Sequence, residues 1–90
     1  MLTDVLLNEK GIPSAPTITG TTPFTTSTNV TITAEAGATI YYTIDGTTPT
    51  TSSTQYTVPV QLSDTATVKA IAVKNGISSE VATKLFEENT

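Results

Sequence analysis

The 90-residue sequence has no cysteine, no histidine, no tryptophan and no arginine. Each absence removes a class of chemistry. Without cysteine there is no disulfide to staple the fold and no thiolate for a metal site, and the redox compartment is left open. Without histidine or cysteine, the commonest general base and the thiol nucleophile are missing. The cations are Lys10, Lys69, Lys74 and Lys84 alone, against eight carboxylates, for a net charge of −4. That leaves no basic stripe for phosphates, so nucleic acid is not expected as a partner, nor is an anionic membrane surface. No apolar run approaches the ~20 residues that span a bilayer, so membrane insertion is not expected either. Charged residues make up only 13%, about half the usual quarter.

Threonine fills the gap, with 22 residues. It is β-branched, which suits a strand and resists a helix, and its hydroxyl keeps an outer face wet. A chain of 90 residues is one small domain. It buries only about 60–65% of the surface its unfolded form exposes, which leaves little core to excavate as a deep pocket.

Period-2 alternation organises most of the chain. Pro13 and Pro16 impose an extended entry. A first strand is expected around Thr17–Gly20, and Thr21–Thr28 reads as a polar loop carrying Phe24. Asn29–Ala34 alternates, with Val30, Ile32 and Ala34 on one face; Thr39–Ile44 does likewise, with Ile40, Tyr42 and Ile44 opposite Tyr41 and Thr43. Gln55–Leu62 contains Pro59, so it belongs at an edge or breaks there. Thr65–Lys74 is the strongest strand, with Val68, Ala70 and Ala72 inward and Thr67, Lys69 and Ile71 outward. Asn75-Gly76 signals a tight hairpin, since a type I′ turn needs positive φ at both central residues. A last strand, roughly Ser78–Phe86, pairs back through it.

Three segments follow: an N-terminal arm or tether over 1–11, a sandwich over 12–86 and a solvated tail over 87–90. The fold expected is all-β, an immunoglobulin-like antiparallel sandwich of six to seven short strands. In the arm, Leu2, Val5 and Leu6 fall at helical spacing, and Leu7 extends the apolar set. Leu2, Val5, Leu6 and Leu7 are therefore the candidate contacts with a protein partner. The arm has no basic n-region, and Asp4 and Asn8 interrupt its apolar stretch, so no secretory signal is expected in this chain.

The ordered set of Pro16, Val30 to Ile32, Ala38-Thr-Ile-Tyr-Tyr-Thr-Ile-Asp-Gly-Thr-Thr-Pro-Thr50, Thr67-Val-Lys-Ala-Ile-Ala72 and Ser78 to Ser79 resembles a known family. It is similar to the chitobiase/β-hexosaminidase C-terminal domain, a fibronectin-III-associated module, over about residues 13–86. The resemblance implies an immunoglobulin-like sandwich, usually appended to bacterial glycoside hydrolases or cell-surface proteins, with no catalytic role of its own.

Candidate chemistry is sparse. The carboxylates Asp4, Glu9, Glu35, Asp45, Asp64, Glu80, Glu87 and Glu88 show no paired spacing, no Gly-rich phosphate loop is present, and no catalytic, metal-ligating or cofactor-binding residue is assigned. Asp45 with the Thr47 or Thr48 oxygens could be read as a calcium loop, but such sites want several carboxylates. The reading adopted is an Asx-turn, in which Asp45 accepts the N–H groups of Thr47 and Thr48 and Gly46 takes positive φ. Asp45, Gly46, Asn75 and Gly76 are thus turn residues. Tyr41, turned away from the core side of its strand, is the candidate ligand contact; Tyr42 is expected inside with its hydroxyl near the rim. Asn29-Val30-Thr31 matches a glycosylation sequon, a tripeptide common by chance in a Thr-rich chain.

Two functions compete. The first is a non-catalytic structural or interaction domain displayed on a virion, as a decoration or tail protein, or on a bacterial cell surface, tethered to a protein partner through its arm. The second is a polysaccharide-binding accessory module beside a glycoside hydrolase or surface protein. Either places the protein on a virion or outside the cell. The apolar arm and the low aromatic content favour the first; the resemblance favours the second.

Overall fold

The computed structural model describes residues 12–89, all of them in strands, turns or irregular segments, without a helix. Two antiparallel sheets pack face to face as an immunoglobulin-like sandwich. The smaller is ordered β1-β2-β5, from β1 (Thr17–Thr19), β2 (Thr28–Thr33) and β5 (Val60–Leu62). The larger is built on β6 (Ala66–Lys74), which pairs with β3 (Thr39–Thr43) on one side. On its other side β6 pairs in succession with β7 (Ile77–Ser78) and β8 (Ala82–Phe86). The edge strand β4 (Thr54–Gln55) pairs with β3.

Alternation sets which side chains meet. On β2, Val30 and Ile32 are buried while Asn29, Thr31 and Thr33 are exposed. On β6, Val68, Ala70 and Ala72 are buried as their spacing requires. These join Phe24, Leu62 and Phe86 in the core, with Ile18, Ile40, Tyr42, Tyr56, Val60 and Ala66 packed around it. Small alanines on β6 face larger side chains opposite, which lets the sheets approach. Burying each larger apolar side chain stabilises the fold by about 1.5–3 kcal/mol.

Eight strands are present rather than six or seven, because two expected strands each divide. Gln55–Leu62 divides at Pro59, which has no N–H to donate to a ladder. The chain changes sheets there: β4 lies in the larger sheet and β5 in the smaller. Between them Tyr56 turns inward and meets Tyr42 edge to face, with ring centroids 6.2 Å apart. Ser78–Phe86 divides at a bulge. The pairs Val73–Ser78 and Ala70–Ala82 leave Ile71 and Ala72 facing Ser79, Glu80 and Val81, one residue more than they can match. Buried Ser79 seals the gap. Its N–H donates to the Ala72 carbonyl at 2.7 Å, its hydroxyl accepts the Ala72 N–H at 2.9 Å, and that hydroxyl donates to the Glu80 carbonyl at 2.8 Å.

Four further places gain detail from the structure. Ile44 was placed inward with Ile40 and Tyr42, but it is 45% exposed because β3 ends at Thr43 and the next turn swings it out. Ile71 lies on the outer face as its parity requires, outside the main core cluster, and is only 4% exposed because Tyr41 stands beside it across the ladder. Phe24, placed in a polar loop, is buried in the core. Residues 87–89 are held by their backbone: Phe24 N–H donates to the Glu87 carbonyl, Asn89 N–H to the Phe24 carbonyl, and Glu87 N–H to the Thr22 hydroxyl. The Asn75-Gly76 turn has φ of 55° and 79°, the positive pair that a type I′ hairpin requires.

Candidate functional site

The outer face of the larger sheet collects the side chains that β3, β4, β6 and β8 turn away from the core. Register fixes their rows. Gln55, Tyr41 and Ile71 stand across one row; Thr43, Lys69 and Thr83 across the next; Thr67 and Leu85 across the third. Opposed side chains on one face lie about 4.5–5.5 Å apart at Cβ, so Tyr41 and Lys69 are diagonal neighbours. Tyr41 is half-buried on this face, and Leu85 and Val81 are 47% and 40% exposed. An aromatic ring, an amine, hydroxyls and an amide thus share one rigid surface.

At one end of the face lies the Asp45 turn. The Asp45 carboxylate accepts the Thr47 N–H at 3.2 Å and the Thr47 hydroxyl at 2.6 Å, while the Thr43 hydroxyl donates to the Thr47 carbonyl at 2.6 Å. Gly46 takes φ +82°. The Thr47 hydroxyl and N–H hold the Asp45 carboxyl below its ordinary value. This is an Asx-turn closed through Thr47 alone; Thr48 donates nothing to Asp45, which differs from the expected pair of donors. A depression of about 320 Å³ lies between Thr43–Thr47 and Ser52–Thr54, with Asp45 as its single ionisable group apart from the phenol of Tyr42. A second, of about 550 Å³, lies between Gly20–Phe24 and Ser27–Asn29 and has no ionisable side chain. Neither brings two carboxylates together. Among the described residues no three of His, Cys, Asp or Glu gather where an ion could sit.

The opposite end carries Ser14, Glu35 and Lys74. Ser14 N–H donates to Glu35 at 3.4 Å, and Lys74 pairs with the same carboxylate at 3.0 Å. The Lys74 ammonium, then the Ser14 N–H, hold the Glu35 carboxyl below its ordinary value. The partner contacts read from the sequence, Leu2, Val5, Leu6 and Leu7, lie outside the described residues.

Compared with known protein families, the chain matches the family described as Fn3 associated over residues 30–86, more than half its length. The chain belongs to the Fn3-associated family. The resemblance carried by the Ile40–Thr50 segment and the Val68–Ala72 strand is the same module. The matched span runs from Val30 to Phe86, two fully buried side chains of opposite sheets, so it encloses most of the core. It leaves out β1 and the Phe24 segment, which complete this Fn3-associated module at its edges. Domains of the family are accessory modules, generally without catalysis. No curated protein matches the chain in sequence.

Sequence reading singled out Tyr41, Asp45, Gly46, Asn75 and Gly76, and it gave no structural role to Ser79, Thr22 or Thr65. Ser79 sits in a Ser-Ser pair whose first member is exposed, and only the bulge turns the second hydroxyl into the interior. Thr22 and Thr65 accept the N–H groups of Glu87 and Glu88, both at 2.9 Å. Among so many threonines nothing marks them out.

Proposed function

We propose that this Fn3-associated module is a non-catalytic interaction domain, displayed on a virion or a bacterial cell surface and tethered to a protein partner through residues 1–11. The observation that carries the reading is the contrast between sandwich and arm. The described core is apolar, and every buried side-chain oxygen or nitrogen in it has a hydrogen-bond partner, so the sandwich needs nothing further to be complete. Ahead of it, Leu2, Val5, Leu6 and Leu7 place four large apolar residues within six positions of the sequence. Removing residues 1–10 is expected to leave the thermal midpoint nearly unchanged and to abolish retention on the partner assembly. A midpoint lowered by many degrees would make the arm part of the core and end the tether reading.

A second reading rests on Tyr41. Its ring lies on the outer face in a row with Gln55 and beside Thr43, an arrangement in which a sugar can stack on the ring and bond to the flanking amide and hydroxyl. The test is co-sedimentation with chitin, cellulose and peptidoglycan, against a Tyr41→Ala control. Retention that the control loses makes this a polysaccharide-binding accessory module; no retention on any of the three removes that reading.

A further inference from the structure

Among the described residues the outer edge of β8 has unpaired backbone groups, and two independent features fix which ones. From the hairpin end, Lys74 and Ile77 flank the two-residue turn and pair, and the Ala72–Ser79 bonds keep the same parity along β6. After the bulge the bonded pairs are then Ala70–Ala82, Val68–Lys84 and Ala66–Phe86. From the tail end, Glu87 directs its N–H to Thr22 and its carbonyl to Phe24, away from β6, whereas Glu88 N–H turns back to Thr65. Both routes agree. Thr83 and Leu85 aim their N–H and C=O groups away from β6, and no described residue bonds them. The segment 22–24 covers this edge only beyond Phe86, through the Phe24–Glu88 bridge, and β1 passes near it without bonding.

An open edge of this kind is a template for another strand. Its side chains state what that strand must carry. Lys84 faces the core side beside Phe86, with its ammonium 5.8 Å from the ring centroid, and among the described residues it has no carboxylate partner. Leu85 and Val81 flank the edge on the outer face and are exposed. An inward lysine on an edge strand repels unselected neighbours, so a strand that pairs here needs an acid opposite Lys84 and apolar residues on the other face.

We propose that the occupant is the arm of a second copy of this chain, laid along β8 as an added strand. This rests on the tether reading and names its partner. With Asp4 opposite Lys84, Leu2 and Leu6 fall on the core side, while Thr3, Val5 and Leu7 fall on the outer face beside Leu85, Thr83 and Val81. The four backbone groups of Thr83 and Leu85 then bond to Thr3 and Val5. The contact is heterologous, arm to edge, so copies join head to tail.

The experiment is sedimentation velocity on the full chain from about 1 μM to about 1 mM, a range that spans weak protein–protein affinities. Self-association that grows with concentration is expected. Lys84→Glu and Asp4→Lys are each expected to weaken it about tenfold or more by placing like charges together. The two combined are expected to restore it, with circular dichroism confirming that each variant is folded. A chain that stays monomeric across the range overturns the proposal, and so does a combined variant no better than the single ones. The arm-deletion test against the surface assembly separates the two readings: a monomer that still needs residues 1–10 for retention keeps the tether and loses the arm-to-edge contact.

Discussion

Gly20 closes β1, and the space beside it is already taken. A Cβ built there falls 2.8 Å from Cε2 of Phe86, 3.2 Å from Cζ of the same ring and 3.0 Å from the Asn29 carbonyl oxygen. Carbon atoms in good contact lie about 3.5–4.0 Å apart, so the ring or the backbone must retreat by half an ångström or more. The ring has nowhere to go. Phe86 is fully buried and is the largest side chain in the core with no exposure. Gly20→Ala therefore overpacks the core, at a cost of about 1–3 kcal/mol. Gly20 also sits at φ +157°, where an L side chain strains the backbone, and that adds about 1–3 kcal/mol. The combined loss is about 2–5 kcal/mol, which for a domain of this size lowers the thermal midpoint by about 10–30 °C.

Calorimetry on Gly20→Ala, Phe86→Leu and the combination resolves the mechanism. Phe86→Leu alone is destabilising through lost burial, but it removes the ring atoms that the new methyl meets. The alanine is therefore expected to cost less in the leucine background, with a coupling of about 1 kcal/mol. An unchanged or raised midpoint for Gly20→Ala, or strict additivity in the cycle, would refute the reasoning from the Phe86 ring.

Two further perturbations test the polar parts of the fold. Ser79→Ala strips the hydroxyl that serves Ala72 and Glu80, leaving a buried N–H unpaired, and is expected to cost about 1–3 kcal/mol in urea denaturation. A loss below a few tenths would mean that water replaces the hydroxyl. The carboxyls of Glu35 and Asp45 both sit below their ordinary values of 4.5 and 3.8 in the folded protein. The unfolded chain takes up their protons first, so their contribution is full above those ordinary values and fades as pH falls through the folded ones. The midpoint should hold steady near neutrality and decline in acid. Combining Glu35→Gln with Asp45→Asn should flatten that decline, and a slope as steep as in the parent would assign it to other groups.

The parts of the fold that were legible in the sequence are those governed by a local period or a local turn. Val30 and Ile32 on β2 and Val68, Ala70 and Ala72 on β6 announce their burial through strict alternation, and Asn75-Gly76 announces its turn through the φ it demands. What was hidden depends on partners far along the chain. Phe24 lies among threonines and prolines, and it enters the core only because its backbone bridges Glu88. Ile44 keeps the inward parity of Ile40 and Tyr42, but parity means nothing once the strand has ended. The hardest feature to foresee is the bulge at Ser79–Val81, because one extra residue reverses the parity of everything after it. Counting from Lys74 and Ile77 through an unbroken hairpin would make Thr83 and Leu85 the residues bonded to β6. With the bulge, Lys84 and Phe86 are bonded and inward, and the backbone of Thr83 and Leu85 is released. The open edge of β8 thus has no signature of its own in the sequence: a buried serine hydroxyl, taking the place of one ladder bond, decides which groups β8 offers to a partner.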